Sequence, residues 1–193
     1  MTARTHDLAA ITALAIVVLA QPLPTLTLST VIAAILANQI GGIIPDIDQP
    51  TAPLWRNLPI GKVFGRAVDS LLGGHRFLTH SILGLALFGF LANRLLHFIH
   101  PLMPHVSVLP VWYAFLIGMV SHLLMDSLTK EGVPWLLPLP VKIGFPPGKA
   151  LRITTGKHVE TLVVLPLLIA VDIWLCAAHY TTWVHFIHGH ILY

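Results

Sequence analysis

Charge is scarce in this chain of 193 residues. Asp, Glu, Lys and Arg make up 10% of it and hydrophobic residues 55%, and the mean hydropathy is +0.81. A soluble globule of this length carries about 25% charged residues, so these values exclude one and describe an integral membrane protein. Cysteine occurs once, as Cys176 inside an apolar run. An intrachain disulfide is therefore excluded, and the residue reads as a lipid-facing or core side chain. Internal repeats and low-complexity segments are absent. A cleavable signal peptide is also missing from the pattern: only Arg4 precedes the first apolar run, Asp7 stands before it, and no small-residue cleavage site follows. The first helix is expected to stay.

The formal net charge of +3 and pI near 9.3 do not indicate nucleic acid. Only eleven Lys and Arg are present, mostly in loops between apolar runs, where lipid headgroups account for them better. Five apolar runs predict an all-α, polytopic helical bundle in a single membrane domain, residues 1–193. They extend over Leu8–Ala20, Thr27–Ile44, Leu78–Leu96, Leu109–Leu128 and Val159–Ala178. A spanning helix needs roughly 20 residues. The first run is short by that measure and meets Pro22 and Pro24, so it either kinks or stops. Between the second and third runs, Lys62–Leu72 reads as a short amphipathic helix at headgroup level. The Pro- and Gly-rich connection Lys130–His158 carries Trp135-Leu136-Leu137 and is expected to dip back toward the membrane.

Counting spans alternately gathers Arg4, Arg56, Lys62, Arg66, Arg76, Lys130, Lys142, Lys149, Arg152 and Lys157 on one face and leaves Arg94 on the other. The positive-inside rule makes the first face cytoplasmic. The same face collects the chemistry. His6 precedes the first run, Pro45-Asp46-Ile47-Asp48 ends the second, His75 and His80 open the third, His122 and Asp126 lie late in the fourth, and Glu160 begins the fifth. Ionisable groups at the ends of membrane helices are costly unless paired or bound to something.

His122 and Asp126 stand four apart on a helix, so imidazole and carboxylate share a face; alone they could equally hydrogen-bond to each other. Asp46 and Asp48 after a proline read first as a solvated, capped turn, and histidine neighbours turn them toward metal binding. His75 and His80 lie five apart, which suits His75 in the Gly73-Gly74 loop and His80 on the first helical turn. Thr79 and Ser81 either orient those ligands or cap the helix. Arg76 stays protonated and cannot ligate; it suits an anionic substrate or developing oxyanion, with a headgroup salt bridge as the plainer role. His97, His100, His105, His179, His185, His188 and His190 fall on or beyond the opposite face and read as interfacial or solvated. His158 is a reserve ligand, and Asp172 is an intramembrane carboxylate that either packs by a hydrogen bond or serves function.

Four motifs in order resemble the YdjM family: Pro45-Asp46-Ile47-Asp48, Gly74-His75-Arg76-Phe77-Leu78-Thr79-His80-Ser81, Gly118 with Ser121-His122 and Asp126, and Thr129 to Pro138. Met1-Thr2-Ala3 followed by His6 resembles that family's opening. The likeness covers roughly residues 1–165. It implies a LexA-regulated, membrane-bound, metal-dependent hydrolase of the bacterial inner membrane. More distantly, the ligand pattern resembles zinc-dependent phospholipase C, an all-helical enzyme.

The expected metal ligands are His6, Asp46, Asp48, His75, His80, His122, Asp126 and Glu160. Asp48 or Glu160 is the expected general base and Arg76 the anion-stabilising group. The N and O donors favour a divalent transition metal, Zn before Mn or Fe, as one or two ions. Metal-activated water would attack an ester or phosphoester of a lipid or other amphiphile among the membrane lipids. A metal-ion transporter and a non-catalytic protein that needs metal to fold are the rival classes. The topology has its own test: a single thiol introduced at Lys142 should be labelled from the cytoplasmic side in intact vesicles, and labelling from outside would reverse the assignment.

Overall fold

The computed structural model describes residues 1–21, 26–72, 76–139 and 141–191. Among them the chain is helical, and β pairing is limited to two isolated bridges, Thr129 with Ile153 and Val133 with Ile143. Helix α1 (Ala3–Ala20) is followed by α2 (Leu28–Ile43), which a 3₁₀ turn prolongs over Ile44–Asp48. The short α3 (Pro53–Arg56) and α4 (Gly61–Leu71) come next, then α5 (Ile82–Ile99) and α6 (Val108–Ser127). A π-helical turn, Glu160–Val164, leads into α7 (Leu165–Ala178), and α8 (Tyr180–Ile191) follows.

Five segments are long and apolar enough to cross a bilayer: Ala3–Ala20, Leu28–Asp48, Ile82–Leu102, Val108–Ser127 and Glu160–Ala178. The first begins at Ala3 rather than Leu8. Extended Thr2 starts the helix ahead of the apolar run, which places His6 and Asp7 within its first turns. The third begins at Ile82 rather than Leu78, because Ser81 adopts extended backbone and its Oγ accepts from Gly84 N at 3.0 Å, an N-cap that sets the boundary. Helix α8 falls in the tail and was not expected as a helix.

Helix α6 is central, with 44% of its span buried, whereas only 6% of Glu160–Ala178 is buried. Its contact with α2 depends on missing side chains. A Cβ on Gly41 would fall on the carbonyl oxygen of Phe115, and one on Gly118 on the carbonyl oxygen of Asn38. Small residues of this kind let two helix backbones meet where lipid offers no hydrophobic drive. Asn38 uses the proximity, its Nδ2 donating to Ala114 O at 3.1 Å. Outward, Leu36, Ile40, Phe90 and Leu95 are exposed, as lipid-facing residues should be.

The two long connections fold over one end of the bundle. Helix α4 matches the expected amphipathic piece and rests on the 3₁₀ turn, where Trp55 Nε1 donates to Ile47 O at 2.8 Å. In the 130–158 segment, buried Arg152 donates to Pro146 O at 2.7 Å and Pro147 O at 3.2 Å, organising a stretch with little regular structure. Trp135 ties this cap to the bundle: its Nε1 donates to Ser127 Oγ at 2.9 Å, and its carbonyl accepts from Ile82 N at 3.1 Å. Gly118→Val should separate α6 from α2 and destabilise the detergent-solubilised protein by about 2 kcal/mol or more. Thermal unfolding would register this as a lowered midpoint, and an unchanged midpoint would refute the close-approach account.

Candidate metal centre

Asp126 is fully buried near the end of α6. A carboxylate there needs compensating positive charge or protonation, and several groups surround it. His6 Nε2 lies 3.2 Å from Oδ1, and His80 Nε2 and His122 Nε2 lie 3.5 and 3.9 Å from Oδ2. The Arg76 guanidinium contacts Oδ2, and the Met1 amino group contacts Oδ1. Asp46 closes the cluster from the 3₁₀ turn, its Oδ1 lying 3.7 Å from His122 Nε2 and 3.9 Å from His80 Nε2. The rings of His6 and His122 stack in parallel with centroids 3.6 Å apart.

Neighbouring groups settle which ring nitrogens can donate to a metal. His122 Nδ1 lies 2.6 Å from the carbonyl oxygen of Gly42. A carbonyl only accepts, so Nδ1 carries the proton and Nε2 presents its lone pair to the cluster. His80 Nδ1 lies 2.9 Å from Thr79 Oγ1, which donates to Asp48 Oδ2 at 2.5 Å. With its hydrogen committed to Asp48, the Thr79 hydroxyl accepts from Nδ1, and His80 likewise presents the lone pair of Nε2 to the cluster. Carboxylate, hydroxyl and imidazole thus form a relay of the kind that orients metal-binding histidines.

Two overlapping groups have ligand atoms lying within 4.8 Å of one another: His6, His122 and Asp126, and Asp46, His80 and His122. An ion held at roughly 2.0–2.2 Å by N and O ligands sets neighbouring tetrahedral ligands about 3.3 Å apart, near the 3.5–3.9 Å separations among His80, His122, Asp46 and Asp126. Moreover, Nδ1 of His6 and Nε2 of His122 are buried without hydrogen-bond partners. Unpaired buried imidazoles are expensive, and an ion removes that cost. The donor set fits a metal. Because one imidazole nitrogen offers one lone pair, His122 serves a single ion, and any second ion would depend on bridging carboxylates.

The expected carboxylates divide. Asp46 and Asp126 join the cluster, but Asp48 and Glu160 belong to neither ligand group. Asp48 Oδ2 accepts from Arg76 N at 3.0 Å as well as from Thr79. Glu160 Oε1 accepts from Thr2 N, Thr2 Oγ1 and Thr5 Oγ1 at 2.6, 2.8 and 2.7 Å, and Oε2 accepts from Gly156 N at 2.7 Å. It is an anion at the positive end of α1 and fastens that helix to the start of the fifth span. Seated in this way, α1 presents His6 to Asp126. His75 lies outside the described residues.

Arg76 is held in the left-handed region, with φ of 61°, a conformation that costs a non-glycine residue about 1–2 kcal/mol. Asp48 grips its backbone, while Asp126 and Glu131, the latter 3.1 Å from Nη1, grip its guanidinium. The remaining candidates stand apart: His158 is exposed, and Asp172 is half-buried on α7. His97 binds its own helix through Asn93 O at 2.9 Å. The reading of the residues alone missed Thr2 and Thr5 as partners of Glu160, Glu131 as a partner of Arg76, and Gly42 O as the fixing group of His122. No signal in the sequence marks a backbone carbonyl for such a role.

Residues 1–190 match the YdjM inner membrane protein family. The chain belongs to that family. It is 35% identical over 103 residues to the inner membrane protein YdjM of Escherichia coli (strain K12), covering 50% of this chain and 44% of that protein's length. It is also 29% identical over 134 residues to the uncharacterized protein YvsG of Bacillus subtilis (strain 168), covering 69% of this chain and 72% of YvsG. No solved structure matches. Family membership and the five candidate spans make the chain a multi-pass inner membrane protein.

The relay behind His80 supplies a test of this YdjM-family site. Thr79→Val should lower transition-metal affinity by about 10–100-fold, measured by competition with a chromogenic chelator, and Thr79→Ser should restore most of it. Equal affinity in the valine variant would show that Asp48 does not act through His80.

Proposed function

We propose that this YdjM-family protein is a membrane-bound, metal-dependent hydrolase acting on an ester or phosphoester of an amphiphile. The observation that carries the reading is the buried convergence of His6, His80, His122, Asp46 and Asp126 at one end of the bundle. Three imidazoles and two carboxylates favour Zn, with Mn and Fe as alternatives. Such an ion supplies Lewis acidity and lowers the pKa of water toward neutrality.

The chain's own groups would do the rest. His80 and His122 are oriented through their Nδ1 atoms, as ligands must be to hold one geometry. Arg76 reaches the edge of the cluster beside Asp126, where its fixed positive charge would meet a negatively charged transition state. Asp48 and Glu160 act as positioning residues, Asp48 on His80 and Arg76 and Glu160 on α1. The ligands sit at the membrane end with basic loops around them, which suits a substrate with its polar group at the surface and its apolar part in the bilayer. The positive-inside bias puts this end in the cytoplasm.

A transporter would need polar groups along the spans. The described spans are poor in them, with Asp172 the principal exception on peripheral α7, so hydrolysis is the better reading.

Elemental analysis of the purified protein should find stoichiometric transition metal that is lost in His122→Ala and Asp126→Ala, and metal-free wild-type protein would refute the metal centre. Hydrolysis of phospholipid in mixed micelles should fall by at least about 100-fold in the same variants. Metal binding without any hydrolysis across ester and phosphoester lipids would favour the non-catalytic, metal-stabilised alternative.

A further inference from the structure

Beside the cluster, a cavity of about 390 Å³ opens between the start of α1, the end of α2 and the segment leading to α4. That is within the usual range for small-molecule sites, about 300–1,000 Å³. Its wall includes two metal-ligand candidates, His6 and Asp46. His6 is 2% exposed; its Nε2 meets Asp126 and its Nδ1 is buried without a hydrogen-bond partner. Asp7 and Asn57 are the other polar side chains in the wall, and Ile43 and Leu58 contribute apolar surface. Both of these are partly open to the outside, at 40% and 50% exposure.

The charges along this cavity are ordered. No Lys or Arg lines it among the described residues, although Arg4, Arg56, Lys62 and Arg66 lie exposed nearby in sequence. Asp7 is half-buried, and its side chain shows no ion pair with Lys or Arg among the described residues. With a divalent ion at the cluster, one side of the cavity is positive, and Asp7 supplies a negative charge elsewhere in the wall. A phosphoester alone would satisfy the first and be repelled by the second. A group carrying both a phosphate and an ammonium satisfies both, and the apolar wall can receive the start of an attached chain.

We propose that this cavity binds the headgroup of an amine-bearing phospholipid, with its phosphate toward the metal cluster and its ammonium on Asp7. The inference rests on the metal-centre reading for the phosphate and on Asp7 for the ammonium. Asp7 is a specificity-determining residue rather than a ligand, and it discriminates against headgroups ending in hydroxyls, such as phosphoglycerol.

The test uses the purified, metal-loaded full chain in detergent micelles and two soluble probes, glycerophosphoethanolamine and glycerophosphoglycerol, titrated calorimetrically. The ethanolamine probe should bind about fivefold more tightly, the scale of one partly exposed ion pair. Asp7→Asn should bring the two within about twofold while metal content and thermal midpoint stay at wild-type values, and Asp7→Glu should keep the preference. Equal affinities in the metal-loaded wild type, or a preference that survives Asp7→Asn, would overturn the proposal. If removing the metal leaves the affinity for both probes unchanged while the preference still depends on Asp7, the assignment to Asp7 stands and the metal-centre reading of phosphate binding falls. The two failures are thereby distinguishable.

Discussion

A carboxylate buried at the end of a membrane helix is the constraint around which this structure is arranged. Asp126 is inaccessible to water, and an unpaired charge in that setting costs several kcal/mol. Groups from the other helix ends answer it: His6 from α1, and Arg76 and His80 from the turn before α5, with His122 one turn back on α6 itself. None of these elements could withdraw without leaving a polar group stranded. The glycines at 41 and 118 complete the arrangement by bringing α2 against α6, so that Gly42 O reaches His122 and Asp46 reaches the cluster.

Asp46, Asp48, Asp126 and Glu160 have the same chemistry and different employment. Asp46 and Asp126 face imidazole nitrogens, whereas the bonds recorded for Asp48 and Glu160 go to hydroxyl and backbone donors. Relaying through Thr79, Asp48 fixes the orientation of a histidine. Through three hydrogen bonds from Thr2 and Thr5, Glu160 holds the helix that carries another. A site built in this way is preorganised: its geometry is set by groups that themselves have little freedom.

The spans could be read from the chain because hydropathy reports directly on the bilayer. Boundaries were less accessible. Leu78 is as apolar as the helix it precedes, yet the Ser81 cap delays the helix to Ile82; Leu8 opens the apolar run, yet α1 already begins at Ala3. For Thr79 and Ser81, capping and ligand orientation were both open from the chain alone. Their roles separate in three dimensions, Ser81 capping α5 and Thr79 linking Asp48 to His80. Asp7 drew no attention as a neighbour of His6, and only the cavity gives it a distinct place.

The sequence by itself determined that this is a multi-pass membrane protein of the YdjM family and that His6, Asp46, His80, His122 and Asp126 gather at one end. Those properties follow from local quantities, namely the length of apolar runs, the alternation of their ends and the motifs found at those ends. Tertiary structure alone decided which carboxylates face the imidazoles, which nitrogen of each of two histidines is presented, and where a cavity opens beside them. These depend on contacts between residues as far apart as Thr2 and Glu160 or Gly42 and His122. Such contacts arise from helix packing and hydrogen-bond geometry, and spacing along the chain carries no record of either.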